Sequence, residues 1–270
     1  MTANQPIGIF DSGIGGLTVA RAVKDILPNE DIVYFGDTAH LPYGDKSAST
    51  IQAYSVKIAD ELLKKNCKVI LIACNSASSA AFELIRDYAG SKAKVFDVIN
   101  PMVNRVREEF KGSHIGLIGT KQTINAGIYK QKLLKAKEDL QYSGLATPLL
   151  VPMIEEGFFE NRISHDVLQQ YLEDQTLNDI DALILGCTHY PIIKKEIGEV
   201  LNEMGRNVDV LDSAETVSLA LKTYLDERNL LKEKAVADHF LVSDLTPSFQ
   251  KASKLFFGEK VTFEKHKLWE

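Results

Sequence analysis

The chain has 270 residues, 45% hydrophobic and 25% charged, a balance that excludes a disordered or fibrous protein and gives length enough for one large domain or two small ones. A net charge of −6 argues against a surface built to hold phosphate backbones, so nucleic acid is not an expected partner. Three cysteines, at 67, 74 and 187, are too few for a disulfide framework and form no Cys-x-x-Cys pair, which turns attention to individual thiols.

The chain opens Met1-Thr2-Ala3-Asn4-Gln5, with no basic start and no apolar run before Pro6, so a cytoplasmic location is expected rather than secretion. Its longest apolar run near a strand signal, residues 69–74, is far too short to span a bilayer, and no membrane association is expected. In chain order, strands are expected over 6–10, 31–35, 68–73, 94–98, 114–118, 148–152, 182–186 and 208–211, with helices filling the gaps. One such helix is opened by Ser47 or Ser49, both good caps, and carries Ile51, Tyr54, Ile58 and Leu62 on one apolar stripe.

This alternation is that of an α/β fold. The near-continuous apolar strands Val69-Ile70-Leu71-Ile72-Ala73 and Ala182-Leu183-Ile184-Leu185 read as buried on both faces, as in doubly wound, mostly parallel sheets covered by helices. A weak internal repeat points to two such lobes. Gly8-Ile9-Phe10 followed by Asp11-Ser12 is echoed by Gly116-Leu117-Ile118 followed by Gly119-Thr120, and Ile72-Ala73-Cys74 by Leu185-Gly186-Cys187, at nearly equal internal spacing. The expected division puts residues 1–97 together with 208–270 in the first lobe and 98–207 in the second, with the site in the cleft at the carboxyl ends of the strands.

Chemistry is concentrated at those strand ends. Cys74 is followed by the polar Asn75-Ser76-Ala77-Ser78-Ser79, a turn entering a helix, where the positive end of the helix dipole is expected to lower the thiol's pKa. Cys187 stands in the same context, with Thr188 and His189 beside it and Pro191 at the start of the next helix. A lone cysteine ending an apolar run is most simply buried and inert; two in matching positions of a repeat argue for function. Inverting a stereocentre requires one base on each face of the reacting carbon, and two related lobes supply that arrangement. Asp11 and His189 are the candidate proton partners in the first and second halves, although an aspartate after a strand often serves only to cap a loop and a histidine in such a place can be structural.

The glycine-rich Asp11-Ser12-Gly13-Ile14-Gly15-Gly16 loop lies between a strand and a helix and can grip a carboxylate with its amides. A dinucleotide fingerprint would need glycine at position 18, which is Thr18, and no phosphate loop occurs, so no cofactor is expected. Cys187-Thr188-His189 offers too few ligands for a metal site, and the histidines at 40, 114, 165, 239 and 266 lack ligand spacing, so no metal is expected either. Leu41-Pro42-Tyr43-Gly44 is a turn able to line the cleft. Cys67 is read as structural, and the charged run 130–139 as a solvated helix face.

With these residues assembled, the chain resembles the glutamate racemases of the aspartate/glutamate racemase superfamily. The matching segments are Gly8-Ile9-Phe10-Asp11-Ser12-Gly13-Ile14-Gly15-Gly16-Leu17-Thr18-Val19, Tyr34-Phe35-Gly36-Asp37-Thr38 with Pro42-Tyr43-Gly44, Ala73-Cys74-Asn75-Ser76-Ala77-Ser78, Val151-Pro152 with Glu155-Glu156-Gly157, and Leu185-Gly186-Cys187-Thr188-His189-Tyr190-Pro191, spread in order along nearly the whole chain. The resemblance implies interconversion of L- and D-glutamate without pyridoxal phosphate or metal, supplying D-glutamate for peptidoglycan and the cell wall. It implies Cys74 as the residue that takes the proton from D-glutamate and Cys187 as the one that takes it from L-glutamate, with Asp11, Glu155 and His189 assisting. Implied substrate contacts are Asp11, Ser12, Pro42, Tyr43, Gly44, Asn75, Ser76, Thr120, Thr188 and His189. Ser76 departs from the family's more usual threonine but keeps the hydroxyl.

Composition and spacing alone stop at a two-thiol α/β enzyme acting on a small acid and do not select glutamate. An aspartate or hydantoin racemase of the same superfamily, or a bilobal amino-acid binding protein, is the alternative. A homodimer is the expectation only because homodimers are common among soluble enzymes.

Overall fold

The structure is a computed structural model that describes residues 1–135 and 139–269. The first part of the chain alternates β1 (Ile7–Asp11), α1 (Leu17–Ile26), β2 (Ile32–Gly36), α2 (Ala48–Lys64), β3 (Val69–Ile72), α3 (Asn75–Ala89) and β4 (Lys94–Asp97). Next come α4 (Ile99–Glu109), β5 (His114–Gly119), α5 (Lys121–Ala126), α6 (Ile128–Leu134), β6 (Gln141–Ala146), α7 (Leu150–Glu155), α8 (Arg162–Leu172), β7 (Ala182–Gly186), α9 (Lys194–Glu203) and β8 (Asp209–Asp212). The chain closes with α10 (Ser213–Glu227), β9 (His239–Val242), α11 (Pro247–Phe257) and β10 (Phe263–Lys265).

The strands form two sheets in which every pairing is parallel. One runs β10-β9-β2-β1-β3-β4 and the other β6-β5-β7-β8. The order β2-β1-β3-β4 in the first is repeated by β6-β5-β7-β8 in the second, so the repeat in the sequence is a repeat of topology, with β1 equivalent to β5 and β3 to β7. Successive residues of a strand point to opposite faces. Ile9, Tyr34 and Leu71 enter the core layer shared with α1, whereas Phe10, Phe35, Ile70 and Ile72 enter the layer under α2 and α3. Both faces of the sheet are buried, which is why its central strands are apolar throughout.

Helix α2 begins where its sequence indicates. Ser47, not Ser49, is the cap, its side chain accepting from the Thr50 amide, and Ile51, Ile58 and Leu62 are buried with Tyr54 packed against the cluster.

Two expectations are corrected. Residues 148–152 are not a strand: Thr147 to Leu149 turn the chain and Leu150 opens α7. Pro152 falls in that helix's first turn, where backbone N–H groups lack intrahelical acceptors and proline costs no hydrogen bond. The neighbour of β5 is instead β6, whose register pairs Gly116 with Ser143 and Ile118 with Leu145. The strand near 208–211 pairs with β7 and completes the second sheet, so the chain returns to the first sheet through α10 and not at residue 208. Two crossings, α4 outward and α10 back, pack on each other and join the sheets. The run 130–139 contributes exposed Lys130, Gln131 and Lys135 but also buried Leu133, and its residues 136–138 lie outside those described. Among the described residues no helix is long and apolar enough to cross a membrane.

Candidate active site

The carboxyl ends of the two sheets meet at a cavity of about 270 Å³, a size suited to a small polar molecule. Its first-lobe wall holds Ser12, Pro42, Tyr43, Gly44, Cys74, Asn75 and Ser76, and its second-lobe wall holds Thr120, Glu155, Cys187, Thr188 and His189. Asp11 is the one candidate that is not on the wall. It ends β1 fully buried, with Oδ2 accepting from the Gly13 amide at 2.9 Å and Oδ1 lying 3.5 Å from the Thr188 hydroxyl across the lobe boundary.

Cys74 caps α3 and is buried, its Sγ 3.8 Å from Ser12 Oγ. The dipole argument made from the sequence does not prevail here. Burial, joined by the Asp11 carboxylate, pushes the Cys74 thiol up to about 12, and the Ala77 amide and Ser12 hydroxyl offset this only in part. Asp11 is itself raised, because its full burial outweighs the Gly13 amide and the charge of His189. On this side of the cavity burial thus works against charge on both the thiol and the carboxyl.

The second thiol has different neighbours. Cys187 follows β7, and the chain then turns through a short 3₁₀ segment, Tyr190–Ile193, before α9, with Pro191 in that segment's first turn. His189 Nδ1 lies 3.8 Å from Cys187 Sγ, and its Nε2 is 2.8 Å from Glu155 Oε1 at the end of α7. Burial works against an imidazolium, but the hydrogen bonds and charges of Cys187 and Glu155 more than offset it and push His189 up to about 10. Glu155, His189 and Cys187 thus form a line that keeps a proton on the imidazole beside the sulfur.

Contacts across the cleft hold the two lobes in register. Ser76 Oγ and Thr120 Oγ1 are 2.9 Å apart, and Thr120 continues to Thr123 at 3.1 Å. Thr18 Oγ1 donates to the Thr188 carbonyl at 2.9 Å. Gly15 sits so close to the second lobe that a Cβ there would lie 2.3 Å from Thr188 Oγ1 and 2.5 Å from His189 Nδ1. Tyr43 is fixed from behind by Asp37, which accepts its hydroxyl at 2.6 Å and also accepts from Ser243 Oγ and Trp269 Nε1.

The sequence reading missed Thr147 and Lys121 on the wall, and Asp37 behind it. Thr147, whose hydroxyl is 2.7 Å from that of Tyr190, follows β6 as Asp37 follows β2. Extending the internal repeat by one strand would have found both. Lys121 carries no such signal; it pairs with Asp45 of the other lobe at 3.4 Å.

Against known proteins, a family model described as Asp/Glu/Hydantoin racemase matches residues 17–218. A glutamate racemase of Chlorobaculum tepidum is 40% identical over 264 residues, covering 97% of this chain and 95% of that one. Among solved structures, a glutamate racemase from Francisella tularensis in complex with D-glutamate superposes with a TM-score of 0.91 at 38% identity over 99% of both chains. One from Thermus thermophilus in complex with beta-chloro-D-alanine superposes with a TM-score of 0.88 at 37% identity, again over 99% of both. The chain therefore belongs to the Asp/Glu/hydantoin racemase family and is an amino-acid isomerase.

Proposed function

We propose that the chain interconverts L- and D-glutamate, with Cys74 and Cys187 as acid and base on opposite faces of the α-carbon. The observation that carries this reading is that two thiols, at equivalent strand ends of two equivalent lobes, open on one small cavity. The glutamate assignment draws on the relatives named above. In the L-to-D direction the Cys187 sulfur takes the α-proton, and the electron pair left on carbon is delocalised into the carboxylate. The Cys74 thiol then gives its proton from the other face, so that thiol and thiolate have exchanged places and no atom is gained or lost. The reverse direction starts with Cys74 taking the proton from D-glutamate. His189, oriented by Glu155, offsets negative charge at Cys187, and Asp11, whose carboxylate acts electrostatically on Cys74, is the proton partner on the other side. Ser12, Pro42, Tyr43, Gly44, Asn75, Ser76, Thr120 and Thr188 form the walls that orient the substrate. The role proposed with this is cytoplasmic supply of D-glutamate for peptidoglycan.

The test is incubation with L-glutamate in deuterated water with no added cofactor, following optical rotation and α-deuterium. Loss of rotation with deuterium entering the α-carbon supports the reading. Turnover of L-aspartate with glutamate inert would transfer it to the aspartate racemases of the same family.

A further inference from the structure

Asn75 is the first residue of α3, next to Cys74, and it lines the cavity. Its two amide atoms differ sharply in their surroundings. Oδ1 accepts a hydrogen bond of 2.9 Å from the Tyr129 hydroxyl, while Nδ2 is buried with no hydrogen-bond partner. A buried donor left unpaired is costly and uncommon, and beside a cavity it marks where a ligand atom supplies the missing acceptor.

Tyr129 belongs to the other lobe, on α6, and is fully buried. It reaches Asn75 because Gly127, at φ 65°, breaks the path from α5 into α6 in the left-handed region that glycine adopts without strain. Burial, joined by the Asp97 carboxylate, holds the phenol well above its ordinary pKa, so it keeps its proton. Among the described residues that hydroxyl has no acceptor other than Asn75 Oδ1. With the amide rotated by half a turn, two donors would face each other or the phenolic proton would go unpaired. Tyr129 thus determines which end of the amide faces away from it.

We propose that Tyr129 is a positioning residue: by donating to Asn75 Oδ1 it locks the amide with Nδ2 toward the cavity, where Nδ2 donates to a carboxylate oxygen of the amino-acid substrate. Since Nδ2 is only a donor, it pairs with a carboxylate and repels an ammonium, so the bond from the far lobe helps set which end of the substrate lies over Cys74. The bond also spans the cleft, so it forms only when the lobes are in register. This inference rests on the reading of the site as one for glutamate.

The experiment is a double-mutant cycle with L-glutamate: wild type, Tyr129→Phe, Asn75→Ala and the double variant, each checked for a native melting transition. Tyr129→Phe keeps the ring and removes one hydroxyl; KM is expected to rise roughly tenfold, the effect of one lost buried hydrogen bond, with kcat within about threefold. Asn75→Ala raises KM at least as far, and the double variant matches Asn75→Ala alone, because Tyr129 has nothing left to position. An unchanged KM in Tyr129→Phe, a fall in kcat alone, or losses that multiply in the double variant would overturn the inference. Wild-type protein inert toward glutamate overturns the functional reading and this inference with it, whereas an active wild type with multiplying losses overturns the inference alone.

Discussion

Replacing Gly15 by alanine tests whether the close approach of the lobes sets the chemistry. The φ of Gly15 is not in the left-handed region, so alanine is allowed by its backbone and only the neighbours matter. The added methyl would lie 2.3 Å from Thr188 Oγ1, 2.5 Å from His189 Nδ1 and 2.6 Å from His189 Cε1, where ordinary contact begins at 3.4 Å. The imidazole must retreat by about 1 Å, yet it is held between Cys187 at 3.8 Å and Glu155 at 2.8 Å. Displacements of that size in a catalytic group cost about 10²-fold in rate, and overpacking adds roughly 1–3 kcal/mol of destabilisation. The assay is the initial rate of change in optical rotation of L-glutamate, with Gly198→Ala as the control, since nothing lies within 4 Å of a methyl at Gly198. A folded Gly15→Ala protein with kcat within about threefold of wild type would refute the reasoning.

The remaining predictions concern the titrating groups. Cys74→Ser and Cys187→Ser should each reduce racemisation by about 10³-fold or more in both directions, measured with either enantiomer, because one disabled base blocks passage both ways; near-normal activity of either variant would refute the two-base mechanism. His189 rises from 6.5 in the unfolded chain to about 10 in the fold, so its contribution to stability is present below about pH 6.5 and is lost as pH rises toward 10. Cys74, raised from 9.0 to about 12, acts in the same sense above pH 9. Urea midpoints should therefore fall from pH 7 to pH 10, and a flat profile would contradict both shifts. Glu155→Gln should move that decline to lower pH and cost about 1 kcal/mol, roughly fivefold in kcat/KM, a value discounted because the Glu155 side chain is 36% exposed. No movement of the decline would mean that Glu155 does not support the imidazolium.

Much of the fold was legible because central parallel strands have a simple signature. Val69 to Ile72 and Ala182 to Gly186 are buried on both faces and read as unbroken apolar runs. The edge strand β6 carries Ser143 and Gly144 and is only half-buried, so it has no such run, and the apolar Leu149-Leu150-Val151 nearby drew the strand assignment that belonged to it. In the site, the cysteines were legible through the repeat, and their neighbours through family resemblance. Tyr129 was not, because it acts through a partner on another element, and no local pattern marks a phenol that meets an amide 54 positions away. The dipole argument at Cys74 failed on magnitude: the partial charge of a helix end is small beside the cost of burying a thiolate next to Asp11.

The repeat governs the backbone but not the charges, and that asymmetry has a limit set by thermodynamics. Cys74 sits with a buried carboxylate and tends to keep its proton, while Cys187 sits beside an imidazole that keeps its own, so the two thiols work in chemically different surroundings. The two enantiomers nevertheless have equal free energy in water. At equilibrium the ratio of kcat/KM for the two directions equals the equilibrium constant of the reaction, which for enantiomers is unity. The asymmetry can therefore appear only as compensating differences in kcat and KM. Wild type, Glu155→Gln and Asp11→Asn should each give equal kcat/KM from L- and D-glutamate at any one pH, while Asp11→Asn, which removes the charge beside Cys74, alters the ratio of the two kcat values. Progress curves started from each enantiomer test this directly. If kcat/KM differed between the enantiomers, a net reaction other than racemisation would be taking place; if the kcat ratio were unmoved in Asp11→Asn, Asp11 would have no part in distinguishing the two bases.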